Sequence, residues 1–112
     1  MTRWFAKAAD KAGLSRADLC EAGNALARGQ ADNLGGGVWK KRLLDNRLRS
    51  IVVVQGPTGW VFTYLFAKAD RKNISPKELA MFKRLAEIHN GFSAFEIHQA
   101  LQHGAIVEVM CG

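Results

Sequence analysis

The sequence predicts an α+β fold in which two N-terminal and two C-terminal helices pack on an antiparallel sheet of about four strands. Three β-like runs, separated by turn signals, occupy the middle of the chain, and the segments on either side carry helical patterns. With 112 residues, 48% of them hydrophobic, the chain is large enough for one modest core. We therefore expect residues 1–112 to form a single domain without an internal repeat or a linker.

The N-terminal part predicts a pair of helices. An alanine-rich helix covers about residues 3–11, and Gly13 is placed to end it. Residues 15–18 resemble a capping box at the start of a second helix, which Gly29 ends. The second helix carries few cations that could reach DNA phosphates. This pattern favours a structural helical hairpin over a DNA-reading helix-turn-helix.

The three β-like runs are residues 38–44, 48–55 and 60–67. Residues 31–37, which include three successive glycines, predict a loop that leads into the first strand. Residues 45–46 predict a tight hairpin turn, and residues 56–59 predict a second turn. The β-branched run within the second strand indicates a central strand that is covered on both faces.

Alternation along the strands predicts which side chains share a face. In the first strand it places Lys40 and Arg42 on one face and Lys41 on the other. In the third strand it places all four aromatic residues on one face, where core packing is favoured over base stacking: Trp60, Phe62, Tyr64 and Phe66.

The C-terminal part begins with the clearest helix start in the chain. Residues 75–78 combine a serine cap, proline at the first helical position and glutamate at the third, and this helix ends at residues 90–91. Residues 93–96 open another helix in the same way, and it closes near residues 103–104. Residues 105–110 predict a short strand that adds to an edge of the sheet.

Composition narrows the cellular compartment in which we expect the protein and the class of partner that it binds. The formal net charge of +6 favours a polyanionic partner such as nucleic acid, the ribosome or an acidic protein. No run is apolar and long enough to span a membrane, and the N-terminus meets a charge too soon for a secretory signal. We therefore expect a cytosolic protein in which Cys20 and Cys111 are buried free thiols, not a disulfide.

The residues favour phosphate binding over metal chemistry. His89, His98 and His103 lack metal-ligand spacing and an accompanying carboxylate cluster, so we expect neither a metal site nor a cofactor. No local signature indicates a Ser-His-Asp or Cys-His hydrolase. What remains is a set of cations around the first turn and after the third strand: Lys40, Lys41, Arg42, Arg47, Arg49, Lys68, Arg71 and Lys72.

These eight cations have two readings: a solvated basic surface or an RNA-binding site. In the second reading, Arg and Lys hold the non-bridging phosphate oxygens. They also stabilise the charge that grows on phosphorus as an adjacent 2′-OH attacks. Such cleavage depends on positioning and electrostatics, and it requires no metal ion.

Three segments of the chain resemble the RelE/HigB-type toxins of bacterial type II toxin–antitoxin systems. They are residues 4–7 (WFAK), 32–42 (DNLGGGVWKKR) and 66–75 (FAKADRKNIS), and residues 106–111 also look like the ending of that branch. The resemblance covers nearly the whole chain. It implies a small α+β toxin that cleaves mRNA on the ribosome without a metal. It also implies a cognate antitoxin, often a helix-turn-helix protein.

Matching positions in the family imply roles for individual cations. Residues 40–42 match the basic strand that grips the RNA backbone, and Arg49 matches the arginine that contacts the scissile phosphate. Lys68 and Arg71 match the basic pair that follows the third strand. The resemblance thus implies that Arg49, Lys68 and Lys40 are the catalytic residues.

Two alternatives remain open at this point. The connector between Arg42 and Arg49 is shorter than the glycine-rich basic loop usual in relatives, which favours a catalytically inactive binding module of the same fold. Related toxins on this fold act on proteins, so a ParE-like inhibitor of gyrase is the second alternative.

Overall fold

The computed structural model describes residues 1–55 and 59–111 and contains four strands and four helices within them. The strands form one antiparallel sheet in the order β1-β2-β3-β4. The predicted α+β fold, with two helices before the sheet and two after it, is confirmed. The elements in chain order are α1 (Arg3–Ala12), α2 (Arg16–Ala27), β1 (Asp32–Gly35), β2 (Val38–Leu43), β3 (Leu48–Gln55), β4 (Gly59–Ala67), α3 (Pro76–Asn90) and α4 (Ala94–Gln102).

Three of the helices, α2, α3 and α4, begin where local capping predicted them. Gly13 ends α1 in the left-handed region with φ 77°, as expected for a glycine C-cap. In three helices a serine hydroxyl accepts from the backbone three residues later, and the acid at that position accepts from the serine backbone. These pairs are Ser15 with Asp18, Ser75 with Glu78 and Ser93 with Glu96.

The fourth strand is not the predicted one. Residues 31–37 were expected to be a loop, but they contain β1, which pairs with β2 through a turn at Gly36 and Gly37. Both glycines have positive φ, 61° and 79°, which suits a two-residue hairpin turn. Residues 105–110 form no sheet strand; Ile106 makes only an isolated bridge to Thr2.

Two cores cover the two faces of the sheet. On the α1/α2 face, Phe5 and Leu26 pack with Val52 of β3. On the α3 face, Phe82 packs with a cluster that includes Ile51. Side chains of β3 alternate between the two cores, and those from Ile51 to Val53 have no exposed surface. The predicted central strand is therefore confirmed. The turn predicted at residues 56–59 lies outside the described residues, apart from Gly59, which begins β4.

A β-bulge divides the aromatic residues of β4 between the two faces. Ile51 pairs with Tyr64 but Val52 pairs with Phe62, so Thr63 is the extra residue on β4. The Thr63 hydroxyl donates to the Ile51 carbonyl at 2.9 Å. Phe62 consequently packs on Phe5 in the α1/α2 core, whereas Tyr64 packs in the α3 core. The predicted single aromatic face is wrong because the bulge reverses the alternation.

The prediction of two buried free thiols is also wrong. Cys20 on α2 and Cys111 near the C-terminus form a disulfide, and neither residue is buried. The C-terminal segment reaches α2 because it first runs beside the N-terminus, where the Val107 amide donates to the Met1 carbonyl at 2.7 Å. Among the described residues, none of the helices is long and apolar enough to cross a membrane.

The Gly37→Ala substitution is expected to destabilise the protein by about 2–4 kcal/mol. A Cβ at this position would lie 2.6 Å from Val54 Cγ2, and φ is +79°. The matched control is Gly29→Ala, where φ is +74° but nothing lies within 4 Å of the added carbon. The control should cost only about 1 kcal/mol for the backbone. Urea denaturation measures both values, and equal losses would contradict the steric argument.

Candidate functional site

Cations and aromatic side chains form two rows across the α3 face of the sheet. Residues directly opposite each other on neighbouring antiparallel strands point to the same face. In one row, Arg42 on β2 lies opposite Arg49 on β3, which lies opposite Phe66 on β4. In the next row, Lys40 lies opposite Ile51, which lies opposite Tyr64. We call the charged and aromatic members the cross-strand strip: Lys40, Arg42, Arg49, Tyr64 and Phe66.

Helix α3 covers the sheet beside the strip. It packs over the adjacent row, in which Val38 lies opposite Val53 and Val53 opposite Val61. Beyond that row the side chains become charged and Arg42 is exposed. The Lys40 side chain is 14% exposed and Arg49 is 7% exposed. The cations of the strip thus lie beyond the row on which α3 packs, whereas its aromatic members, Tyr64 and Phe66, contact the α3 core.

The β2–β3 turn positions Arg49. This turn has four residues, 44–47, not two, and Leu44, Asp45 and Asn46 all have positive φ (47°, 52° and 72°). Arg49 Nη1 donates to the Asn46 carbonyl at 2.6 Å. In the part of the chain that the structure describes, no carboxylate is within ion-pair distance of the Arg49 guanidinium. A nearly buried cation that has no carboxylate partner favours an anionic ligand.

Lys40 has a weak intramolecular partner. Its Nζ lies 3.9 Å from Asp32 Oδ2, and that carboxylate is on the exposed strand β1. The distance is at the limit for an ion pair and the Asp32 side chain is 53% exposed, so this pair contributes little to stability. A phosphate could therefore replace Asp32 as the partner of Lys40 at small cost.

Arg71, by contrast, is paired within the fold. Its guanidinium forms two hydrogen bonds to the Glu78 carboxylate, one of them from Nη1 at 3.0 Å. It also donates to the Tyr64 hydroxyl at 3.5 Å and lies 5.6 Å from the centre of the Phe66 ring. Hydrogen bonds from Arg71 and then from the Ser75 backbone lower the pKa of Glu78 to about 2. Arg71 joins the strip to the start of α3, and its charge is already compensated.

The Glu78→Gln substitution is expected to lower stability in a pH-dependent way. The low pKa means that ionised Glu78 stabilises the fold at every pH above the unfolded value of about 4.3. This contribution is lost as the pH falls through the folded pKa, about 2. Urea denaturation of both proteins should show a constant difference from about pH 7 to 5, which shrinks from about pH 4 to 2. A difference that grows on acidification would contradict the assignment.

Lys41 lies on the opposite face from Arg42, as the alternation predicted. It pairs with Ser50, which pairs with Leu65 of the α1/α2 core. There it lines a cavity of about 530 Å³ between α2 and the β2–β3 turn, which Arg42 and Arg47 also reach. The cavity is of mixed charge, with Asp18, Glu21 and Arg28 in its wall.

The remaining predicted cations lie at the turn end of the sheet. The Lys68 amide donates to the Arg47 carbonyl at 2.9 Å, so these two exposed residues are neighbours and line one shallow depression. Lys72 is exposed in the connection between β4 and α3. Among the described residues its side chain has no hydrogen bond or ion pair that would fix its position. The structure thus brings Lys68 beside Arg47 and shows no contact that links Lys72 to them.

The histidines do not belong to the strip. His89 is buried on α3, where Nδ1 is 3.2 Å from Gln55 Nε2, and burial lowers its pKa. His98 lies on α4, and His103 ends that helix. Within residues 1–55 and 59–111, no group of three or more His, Cys, Asp or Glu side chains could hold a metal ion.

Sequence reasoning gave Trp4 no functional role beyond its place in a helix and in the segment 4–7 that resembles the family. Its ring stacks on Tyr64 with centroids 5.2 Å apart and an interplanar angle of 24°. Helix α1 is held there because the Thr2 amide donates to the Phe62 carbonyl of β4 at 2.9 Å. The available signal was spacing: Phe5 and Ala9 mark the buried side of α1, and Trp4 lies outside it.

Comparison with known families identifies the chain. Residues 1–109 match the family described as the RelE toxin of the RelE / RelB toxin-antitoxin system, which confirms the resemblance to RelE-type toxins. Neither the curated proteins nor the solved structures give a match. The family description names an antitoxin together with the toxin, so an antitoxin is the implied partner. The match covers nearly the whole chain, and the chain therefore belongs to the RelE toxin family.

Proposed function

We propose that this toxin is a ribosome-dependent endoribonuclease that cleaves mRNA without a metal ion and so inhibits translation. The observation that carries the proposal is the convergence of Lys40, Arg42 and Arg49 on one face of the sheet. Arg49 is the central group because it is 7% exposed, fixed by Asn46 and without a carboxylate partner in the described residues.

The chemistry that suits this strip is attack by a 2′-OH on the adjacent phosphorus. The O2′–P bond forms and the P–O5′ bond breaks, which leaves a 2′,3′-cyclic phosphate and a 5′-OH. The proton lost from O2′ is balanced by the one gained by O5′. Arg49 would stabilise the negative charge on the non-bridging oxygens, while Lys40 and Arg42 hold the phosphate backbone. Lys68, beside Arg47 at the end of the sheet, would neutralise charge on the departing strand.

The small number of cations on the strip supports dependence on the ribosome. The strip offers three cations to the RNA backbone, and Arg71 is already paired with Glu78. Three phosphate contacts give weak, salt-sensitive binding to free RNA. The ribosome would supply the missing affinity by presenting an extended codon. Lys41 is on the other face, so we propose an RNA path that does not include it.

The test is primer extension on a reporter mRNA after induced expression of the toxin. We expect cuts at a fixed position within codons of the translated region. The matched control is the same transcript with a disabled start codon, which should remain intact. Growth arrest without cuts in the translated transcript would refute the proposal. If arrest were accompanied by DNA damage, gyrase would be the target.

One observation favours a second candidate, a non-catalytic binding module. The β2–β3 turn is short, and its only cation is Arg47. A toxin that has lost activity would still bind its antitoxin. It would show neither cuts nor growth arrest in the same experiment.

A further inference from the structure

Trp4 is an exposed aromatic residue at the β4 end of the cross-strand strip. Its surface is 53% exposed although its ring is stacked on Tyr64. Tyr64 is itself held by the α3 core, because its ring also contacts Phe82 with the two centroids 5.9 Å apart. The indole thus has a rigid support on one side and solvent on the other.

The position of this aromatic pair continues a row of the strip. Lys40 lies opposite Ile51 and Ile51 opposite Tyr64, so Trp4 extends that row past the edge of β4. Neighbouring strands are about 4.8 Å apart, which places Tyr64 about 10 Å from Lys40 along the row. A nucleotide whose phosphate contacts the cations would bring its base within reach of the aromatic pair.

Helix α1 supplies cations on the same side of the helix as Trp4. Lys7 and Lys11 follow Trp4 by three and seven residues, so the three side chains lie on one side of the helix. Both lysines are exposed. A positively charged surface that also offers an aromatic side chain for stacking is the combination by which many proteins bind single-stranded nucleic acid.

We propose that Trp4, supported by Tyr64, is a stacking platform for one nucleobase of single-stranded RNA bound along the strip. The inference rests on the proposed function and adds a positioning role. By holding a base at a fixed distance from Arg49, the platform determines which phosphate lies over that guanidinium. The flanking Lys7 and Lys11 would hold the strand that leaves the platform.

The test is binding of a fluorescently labelled single-stranded RNA of about twelve nucleotides, 2′-O-methylated so that it cannot be cut, at low salt. Trp4→Leu keeps an apolar side chain but removes the ring, and it should weaken binding about tenfold. Trp4→Phe should keep affinity within about threefold of the wild type. The matched control is Phe95→Ala, which removes an aromatic residue that is 67% exposed on α4 and should leave affinity unchanged.

A second probe separates stacking from charge. An oligonucleotide of the same length with abasic sugars should bind the wild type and the Trp4→Leu variant equally. The intact oligonucleotide should also quench tryptophan fluorescence in the wild type, and Trp4→Phe should remove that quenched component. Because Trp39 and Trp60 also fluoresce, the quenched component is assigned to Trp4 from the difference between the wild type and Trp4→Phe, a variant that keeps an aromatic ring at this position.

The failure of this inference can be distinguished from failure of the nuclease. Equal RNA affinity of Trp4→Leu and wild type, or no RNA binding by the wild type, would overturn the platform. Neither result involves cleavage. Trp4-dependent binding without cuts in the reporter transcript would support the platform and refute the nuclease.

Discussion

The Arg49→Ala variant is expected to cleave mRNA at least about a hundredfold more slowly than the wild type. The guanidinium is held by Asn46 before any substrate binds, so its alignment requires no reorganisation during the reaction. It is also nearly buried, where a charge interacts more strongly with the transition state than it would in water. Arg49→Lys keeps the charge but loses the planar fork, and we expect an intermediate rate. Cleavage is measured on ribosomes translating a defined mRNA.

The control for this experiment is Arg84→Ala, which removes an exposed arginine from α3 without touching the strip. It should cleave at the wild-type rate. Circular dichroism and thermal denaturation establish that both variants are folded, since Arg49 is a nearly buried residue between its cross-strand neighbours Arg42 and Phe66. A folded Arg49→Ala protein with unchanged cleavage would place the active site elsewhere.

Loss of the Cys20–Cys111 disulfide is expected to destabilise the protein by about 4–5 kcal/mol in the chain-entropy model. The bond joins residues separated by 91 positions, so it closes almost the entire chain into a loop. Its loss enlarges the unfolded ensemble and should lower the Tm by at least about 15 °C. The measurement is urea and thermal denaturation of the wild type with and without reductant.

The matched control is the double variant Cys20→Ser, Cys111→Ser. Its stability should equal that of the reduced wild type and should not respond to reductant. Titration of the folded wild-type protein with a thiol reagent should find no free thiol. Two free thiols per chain would contradict the structure and restore the expectation drawn from the sequence.

Local signals predicted most of the fold. The helices that begin at Ser15, Ser75 and Ser93 were predicted because a capping box needs only four consecutive residues. The bounds of β3 were predicted because a continuous β-branched run has few other structures to adopt. Such features are determined by residues adjacent in sequence and do not depend on contacts between distant residues.

Features set by distant contacts were missed. The bulge at Thr63 depends on how β4 pairs with β3, and nothing in the local alternation indicates an extra residue. The disulfide depends on the C-terminal segment lying beside the N-terminus before it reaches Cys20. The glycines that suggested a loop, Gly36 and Gly37, form the turn of the hairpin between β1 and β2.

The candidate site was predicted in part. The cations of β2 and Arg49 could be chosen from composition and resemblance, and the register places Lys40, Arg42 and Arg49 on one face. The pairing of Arg71 with Glu78 was not predicted because it depends on the path of the connection between β4 and α3, which has no regular periodicity in the sequence. The stacking of Trp4 on Tyr64 likewise requires α1 to lie along the edge of the sheet.

The central claim is that the RNA binds one face of β2, and adjacent residues test it. Arg42→Glu reverses a charge on the α3 face, and Lys41→Glu makes the same change on the α1/α2 face. Both are measured with the uncleavable single-stranded RNA under identical salt conditions. We expect Arg42→Glu to weaken RNA binding at least about tenfold and Lys41→Glu to change it no more than about twofold. Equal losses in the two variants, or a larger loss for Lys41→Glu, would contradict the account.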